Sequence, residues 1–323
     1  MKESLHTTAL SLIGLVAGGA FFWFSFRSVS LADVFGQFDP RRALVLGPLL
    51  ALAIVAFATC KALRWHALLG RPASIPPSRL IAPVFVGLLF NALVAHTGEV
   101  ARSVAVRNAW RIPASAVLTS IAVERLFDFV AVLAFGLLAG MARTTSADLD
   151  FAMWTIVAVS AGALGLVALV LHRPGLLVAV ATVLGAPLPP RSRAFLLEQV
   201  QHVLAGLEPL KDTRAVARVL AWSFAQWGLI VVCVVACAAV ARTDVGVSAG
   251  ALVLVLLVIA FALPSAPGYL GSTQFAFVAV LVPLGVTKEA ALAASIVYTL
   301  AAVAPMMLIG AVLLPSVRWR SER

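Results

Sequence analysis

Glu124, Arg125 and Asp128 interrupt an otherwise apolar run that extends from residue 112 to 140. An unpaired ionisable side chain at the centre of a bilayer costs about 2.5–3.5 kcal/mol on insertion scales, so such groups are retained where they pair, bind something or pass a proton. Glu124 and Asp128 are four residues apart and share a helix face, and Arg125 is three from Asp128, so one helix supplies a partly neutralised cluster. Glu99 and Arg102 have the same three-residue spacing and add a second pair. Three carboxylates against two guanidiniums leave one acid over, free to titrate or to meet a cationic headgroup. Two readings follow: ion pairs that lock two segments together, or the lining of a substrate or proton path.

Two further groups of residues break apolar runs. Pro264, Ser265, Pro267, Gly268 and Gly271, followed by Gln274, cannot continue a regular helix cheaply, and unwound backbone at membrane depth is tolerated only inside protein or along a wet cavity. The amides freed between Gly268 and Ser272, ahead of a new helix, suit a phosphate or another anion; a hinge without ligand contact is the alternative. Upstream, the run 80–96 breaks at His96-Thr97-Gly98-Glu99. Asn91 there can hydrogen-bond inside the turn, and His96 is read as a loop residue, with a proton relay as the alternative. Trp222, Gln226 and Trp227 share one apolar segment and are read as packing, with a lipid path as the other possibility.

These residues must be held by membrane helices. Of 323 residues, 62% are apolar and 12% charged, against roughly 45–50% and about 25% in a soluble domain. At about 20 residues per crossing, the chain supplies six to eight spans and leaves no room for a separate soluble catalytic domain. We expect an all-α polytopic protein forming a single domain over 1–323, with full crossings at 7–26, 43–62, 112–140, 152–171, 216–241 and 290–314. Two re-entrant hairpins, 80–111 and 248–287, enter from opposite sides. The first crossing is read as an uncleaved helix, and the second leads to a basic loop with Lys61, Arg64, Arg71 and Arg79. Leu196, Leu197, Val200, Val203, Leu204 and Leu207 recur at helical spacing within 187–214, which predicts an amphipathic helix on the cytoplasmic membrane surface.

The net charge of +10 lies in short loops and reads as orientation and lipid contact rather than nucleic-acid binding. With both hairpins re-entrant, 17 basic residues fall inside and 6 outside, placing both termini in the cytoplasm of a bacterial-type inner membrane. Helix rise puts Arg125 roughly 20 Å into its helix, and both hairpin tips roughly 22 Å deep. Cys60, Cys233 and Cys237 lie in apolar segments and read as structural, and the five histidines are scattered, so no metal or other cofactor is expected. No Gly-x-x-x-x-Gly-Lys-Ser/Thr motif is present to drive the protein with ATP.

Three motifs resemble those of flippase-like membrane proteins that share the transmembrane region of lysylphosphatidylglycerol synthase. Asn91, Gly98, Glu99 and Arg102 match the first, Glu124-Arg125-x-x-Asp128 the second, and Pro264-x-x-Pro267-Gly268-x-x-Gly271 the third. Gln274 stands where many members have Glu, and Val94-Ala95-His96 replaces the proline many carry before the Gly-Glu pair. The resemblance spans about residues 10–315. It implies movement of a lipid or lipid-linked molecule between leaflets, without the aminoacyl-transferring domain of the full synthase. The expected mechanism is proton-coupled or downhill, with phosphate on Arg125 or Arg102 and the second-hairpin amides, and any ammonium facing Glu99, Glu124 or Asp128. Membrane lipids are the expected partners. The alternatives are a non-catalytic scaffold for a lipid-biosynthesis enzyme and a membrane-embedded enzyme acting on a lipid phosphate or glycan.

Overall fold

The computed structural model describes residues 16–69, 75–94, 97–141, 161–162, 165, 168–262, 266–317 and 319. Every regular element among them is helical. The helices are α1 (Val16–Phe26), α2 (Leu31–Gly36), α3 (Pro40–Leu68), α4 (Ile81–Leu93), α5 (Thr97–Trp110), α6 (Ala114–Met141) and α7 (Pro174–Gly185). They continue with α8 (Pro190–Leu207), α9 (Thr213–Val240), α10 (Val247–Ala262), α11 (Ser272–Leu281), α12 (Lys288–Tyr298) and α13 (Ala304–Leu313). The crossing expected at 152–171, and the parts of the first crossing before Val16, lie largely outside the described residues, as do His96, Pro264, Ser265 and Arg71.

Local signals start the long helices. The Asp39 carboxylate accepts the backbone N–H groups of Arg41 and Arg42 at 3.0 and 3.2 Å, and Pro40 occupies the first turn, where its missing N–H costs nothing. The bond from Arg42, with that from Arg41, holds this carboxyl below its ordinary range. Asp212 caps α9 through Arg214 N at 2.9 Å, and Thr287 caps α12 through Ala290 N at 3.3 Å. Three helical stretches are long and apolar enough to cross a membrane: α3, α9 and the run Lys288–Ser316 that contains α12 and α13. In that last run a π turn at Thr299–Val303 precedes Pro305. Pro305 cannot donate to the carbonyl one turn back, and widening the turn accommodates the lost bond. At 28 residues α6 is about 42 Å long, comparable to these, but it carries Glu124, Arg125 and Asp128.

The short helices come in pairs. Neither α4 nor α5, at 13 and 14 residues, covers about 30 Å of hydrocarbon alone, and the same holds for α10 and α11 at 16 and 10. α4 folds back on α5, and α10 on α11. The first fold-back depends on glycine. A Cβ on Gly98 would sit within the van der Waals envelope of the Gly87 carbonyl oxygen and 2.6 Å from Asn91 Cγ, and one on Gly87 would lie 2.6 Å from the Arg102 methylenes. Asn91 Oδ1 accepts the Gly98 N–H at 2.7 Å and closes the turn.

α3 and α9 pack along each other, with α6 against both; α10 lies on α6, α12 on α9 and α11, and α13 on α4. The main core is built on α9 to α12 with α3, and Cys233 and Cys237 are buried in it as free thiols, while Cys60 is buried on α3. The amphipathic segment forms α8, and its apolar row is turned inward: Gly206 meets Thr119 of α6, and Leu196 meets Gly185 of α7.

Gly98→Ala should lower thermal stability in detergent by about 1–3 kcal/mol through overpacking of the α4–α5 turn, whereas Gly47→Ala inside α3, which meets nothing within 4 Å, should not lower it. Melting followed by size-exclusion chromatography compares the two.

Candidate functional site

The charged residues of α6 meet partners from two other helices. Lys61 and Arg64, three residues apart on α3, both face α6 and are buried. Glu124 receives three cations: the Lys61 ammonium, Arg64 Nη2 at 3.0 Å, and Arg102 of α5, whose Nη2 lies 2.7 Å from Oε2. Asp128 Oδ1 accepts Arg64 Nη1 at 2.6 Å, Gln226 Nε2 at 2.8 Å and Trp227 Nε1 at 2.7 Å. Arg64 also donates to Ser223 Oγ at 2.9 Å, and Arg102 stacks 4.0 Å over the Trp65 ring. Trp65 in turn donates to Ser120 Oγ at 3.1 Å. A single carboxylate cannot repay the desolvation of three cations by itself; the cation–π contact and the Ser223, Gln226 and Trp227 bonds complete the network.

This arrangement corrects the expected pairing and its charge. Lys61 and Arg64 are not loop residues, because α3 continues through Leu68 rather than ending at residue 62. The expected pairs within one helix, Glu99 with Arg102 and Arg125 with Asp128, are replaced by pairs between helices. With Lys61 and Arg64 counted, four cations face three carboxylates, so the cluster carries one positive charge where one acid was expected to be left over. Lys61 and Arg64 were legible to one test: no Gly or Pro interrupts 49–69, and apolar residues at Cys60, Ala62, Leu63, Trp65 and Leu68 keep the helical pattern running past both cations.

A second, more open part of the site lies at the first hairpin tip. Arg125 pairs with Glu99, and Asn91 Nδ2 donates to the same Glu99 oxygen at 3.3 Å while its Oδ1 closes the turn. Arg125 is 42% exposed, against 0–7% for Lys61, Arg64 and Arg102. It stands on the wall of a cavity of about 220 Å³, with Lys61, Asn91 and Asp128 as the other charged or amide groups; Trp227, Tyr269 and Tyr298 and apolar side chains of α3, α4, α6, α9, α10, the π turn and α13 form the rest. Thus Asn91, Glu99 and Arg125 come together at the more open end of the site, Asp128 is buried between this end and the lock, and Arg102 and Glu124 belong to the buried lock.

The second break is arranged differently from expectation. Pro267 begins a single turn, Pro267–Tyr269, with Gly268 at φ +72°, and Gly271 at φ +82° precedes α11. The Gly271 N–H, expected to be free for an anion, donates to Gln274 Oε1 at 2.7 Å, and the Tyr269 N–H donates to Ala266 O at 3.0 Å. A Cβ on Gly271 would overlap the Gly18 carbonyl of α1, so α1 covers this break. Gln274 Nε2 reaches Thr299 Oγ1 in the π turn at 3.4 Å. What the second break delivers to the cavity is Tyr269, stacked on Phe261 at 4.0 Å, while its turn packs against α4 of the first hairpin.

Fold and site together define an all-helical, multi-pass membrane protein that holds a net-cationic cluster and a partly apolar cavity among its helices. The chain belongs to the family described as Lysylphosphatidylglycerol synthase TM region, which matches residues 11–310. No curated protein and no solved structure matches it.

Arg64→Ala removes a cation from two buried carboxylates and should destabilise the protein by about 3–5 kcal/mol. Arg125→Ala, at the exposed end, should cost about 1 kcal/mol. Unfolding midpoints in detergent distinguish the two, and equal losses would contradict the division into lock and accessible site.

Proposed function

We propose that this chain is a lipid translocase in which a phosphate-bearing headgroup crosses between leaflets through the Arg125 cavity, proton-coupled or downhill. The observation that carries the reading is Arg125 itself: a 42% exposed guanidinium on the wall of a largely apolar cavity of about 220 Å³. It lies 11 residues into α6, roughly 17 Å from its start, where a soluble-type function has no use for it. The surplus positive charge of the cluster favours an anion there. Arg125 takes the phosphate in this mechanism, and Glu99 is the group it exchanges; Arg102, held by Glu124, and the Gly271 amide, held by Gln274, take no part.

In this reading α4–α5 and α10–α11 are re-entrant hairpins from opposite faces, flanked by six full crossings, with both termini in the cytoplasm of an inner membrane. Removing Lys61, Arg64 and Arg102, all buried in the lock, lowers the inside tally from 17 to 14 basic residues against 6 outside, so the orientation is unchanged. At Gly271 the irregular backbone of the second hairpin is covered by Gly18 of α1.

One observation favours a second reading, a non-catalytic scaffold for a lipid-biosynthesis enzyme: Glu124 and Arg102 are spent on one another and on α3, as a structural lock requires. Liposomes containing the purified chain decide between them. Wild type should accelerate leaflet exchange of acyl-labelled phospholipids, and Arg125→Ala should slow it at least tenfold while melting near wild type. If no lipid exchanges faster than in empty liposomes, the translocase reading fails and the scaffold reading takes its place.

A further inference from the structure

Asp128 has an unusual division of labour between its two oxygens. Oδ1 takes three donors, from Arg64, Gln226 and Trp227. Oδ2 is buried and has no hydrogen-bond partner among the described residues, although Asp128 is only 3% exposed and lines the cavity. A carboxylate oxygen buried without a donor is costly, and it is retained where something else supplies the donor. Glu99 repeats the pattern beside Arg125: one oxygen holds Arg125 and Asn91, and Oε2 is buried without a partner. The cavity wall therefore carries one accessible cation, Arg125, and, on Asp128, a buried acceptor that no described protein group satisfies.

We infer that the Arg125 cavity selects headgroups that combine a phosphate with at least one N–H or O–H donor, the phosphate on Arg125 and the donor on Asp128 Oδ2. This rests on the translocase reading and narrows its substrate class. The single surplus positive charge of the cluster matches one phosphodiester, and the donor completes the hydrogen bonding of Asp128 without requiring a second cationic site. Ethanolamine and glycerol headgroups meet both conditions. Choline has the same phosphate and the same net charge as ethanolamine, but its trimethylated nitrogen has no donor.

The test is a methylation series in liposomes containing the full chain: acyl-labelled phosphatidylethanolamine, its N-methyl and N,N-dimethyl forms, and phosphatidylcholine. Exchange should persist through the dimethyl lipid and fall at least about tenfold at the trimethyl step, where the last donor disappears. Asp128→Asn gives the second readout. Three donors hold the amide oxygen at the Oδ1 position, which places Nδ2, a donor, where Oδ2 stood, so the step between dimethyl and trimethyl should vanish. Equal exchange of all four lipids by the wild type overturns the selection while leaving the translocase reading intact, and a step that survives in Asp128→Asn overturns the role of Oδ2. Absence of exchange for every lipid removes the translocase reading and this inference with it. The wild-type series decides without any variant, so a folding defect in Asp128→Asn leaves the inference falsifiable.

Discussion

Charges inside a low-dielectric layer must be compensated by other charges and by directed hydrogen bonds, and in this chain that requirement converges on Glu124. Three cations from two helices meet its carboxylate, and Asp128 one turn away ties the same α3 arginine to α9 through Gln226 and Trp227. The desolvation of each group is large, and Arg64 serves both carboxylates, so removing it leaves Asp128 without its ion-pair partner. α3, α5, α6 and α9 are thereby fixed to a common register. What helices in lipid cannot obtain from a hydrophobic driving force they obtain here from charge pairing, supplemented by close glycine contacts such as Gly87 on Arg102 and Gly136 on Val255.

The lock makes the accessible half of the site affordable. Arg125 follows Glu124 directly in sequence and so projects to a different side of α6, away from the saturated carboxylate and toward the hairpin tip. Its partner Glu99 is oriented by Asn91, the same residue that closes the α4–α5 turn, so the geometry of the tip and the charge of the cavity are set by one side chain. The second break contributes an aromatic, Tyr269, to the same cavity, gives its Gly271 N–H to Gln274 and packs closely on α1. Two broken helices thus serve the cavity unequally: one brings ionisable groups, the other brings shape.

The π turn at Thr299–Val303 adds a third boundary. Tyr298, Ala302, Val303 and Met306 line the cavity, whereas Leu300 and Leu308 on the same run are exposed on its outer side. One helix, widened where Pro305 cannot donate, separates the cavity from the surroundings of the protein. Gln274 anchors this wall to the second break through Thr299, which links both irregular segments through a single side chain.

Composition and apolar run length were enough to establish a helical membrane protein, because lipid forces backbone groups to pair within the segment and so makes hydropathy a direct reading of structure. Spacing likewise identified Asn91, Gly98, Glu99, Arg125 and Asp128 and both breaks, since Gly, Pro and intramembrane charge are each locally costly and visible one residue at a time. Partner choice was not local. Glu99 bonds 26 residues away and Asp128 bonds 64 and 98 away, so the neighbours at i,i+3 that the sequence offers were displaced by better-placed groups on other helices. The sign of the cluster depended on where α3 ends, and a cation at a helix end reads the same in sequence whether it faces water or turns inward. Only the packing of α3 against α6 and α9 buried Lys61 and Arg64, turned the surplus from acid to base, and left Asp128 with one oxygen saturated and the other without a partner among the described residues.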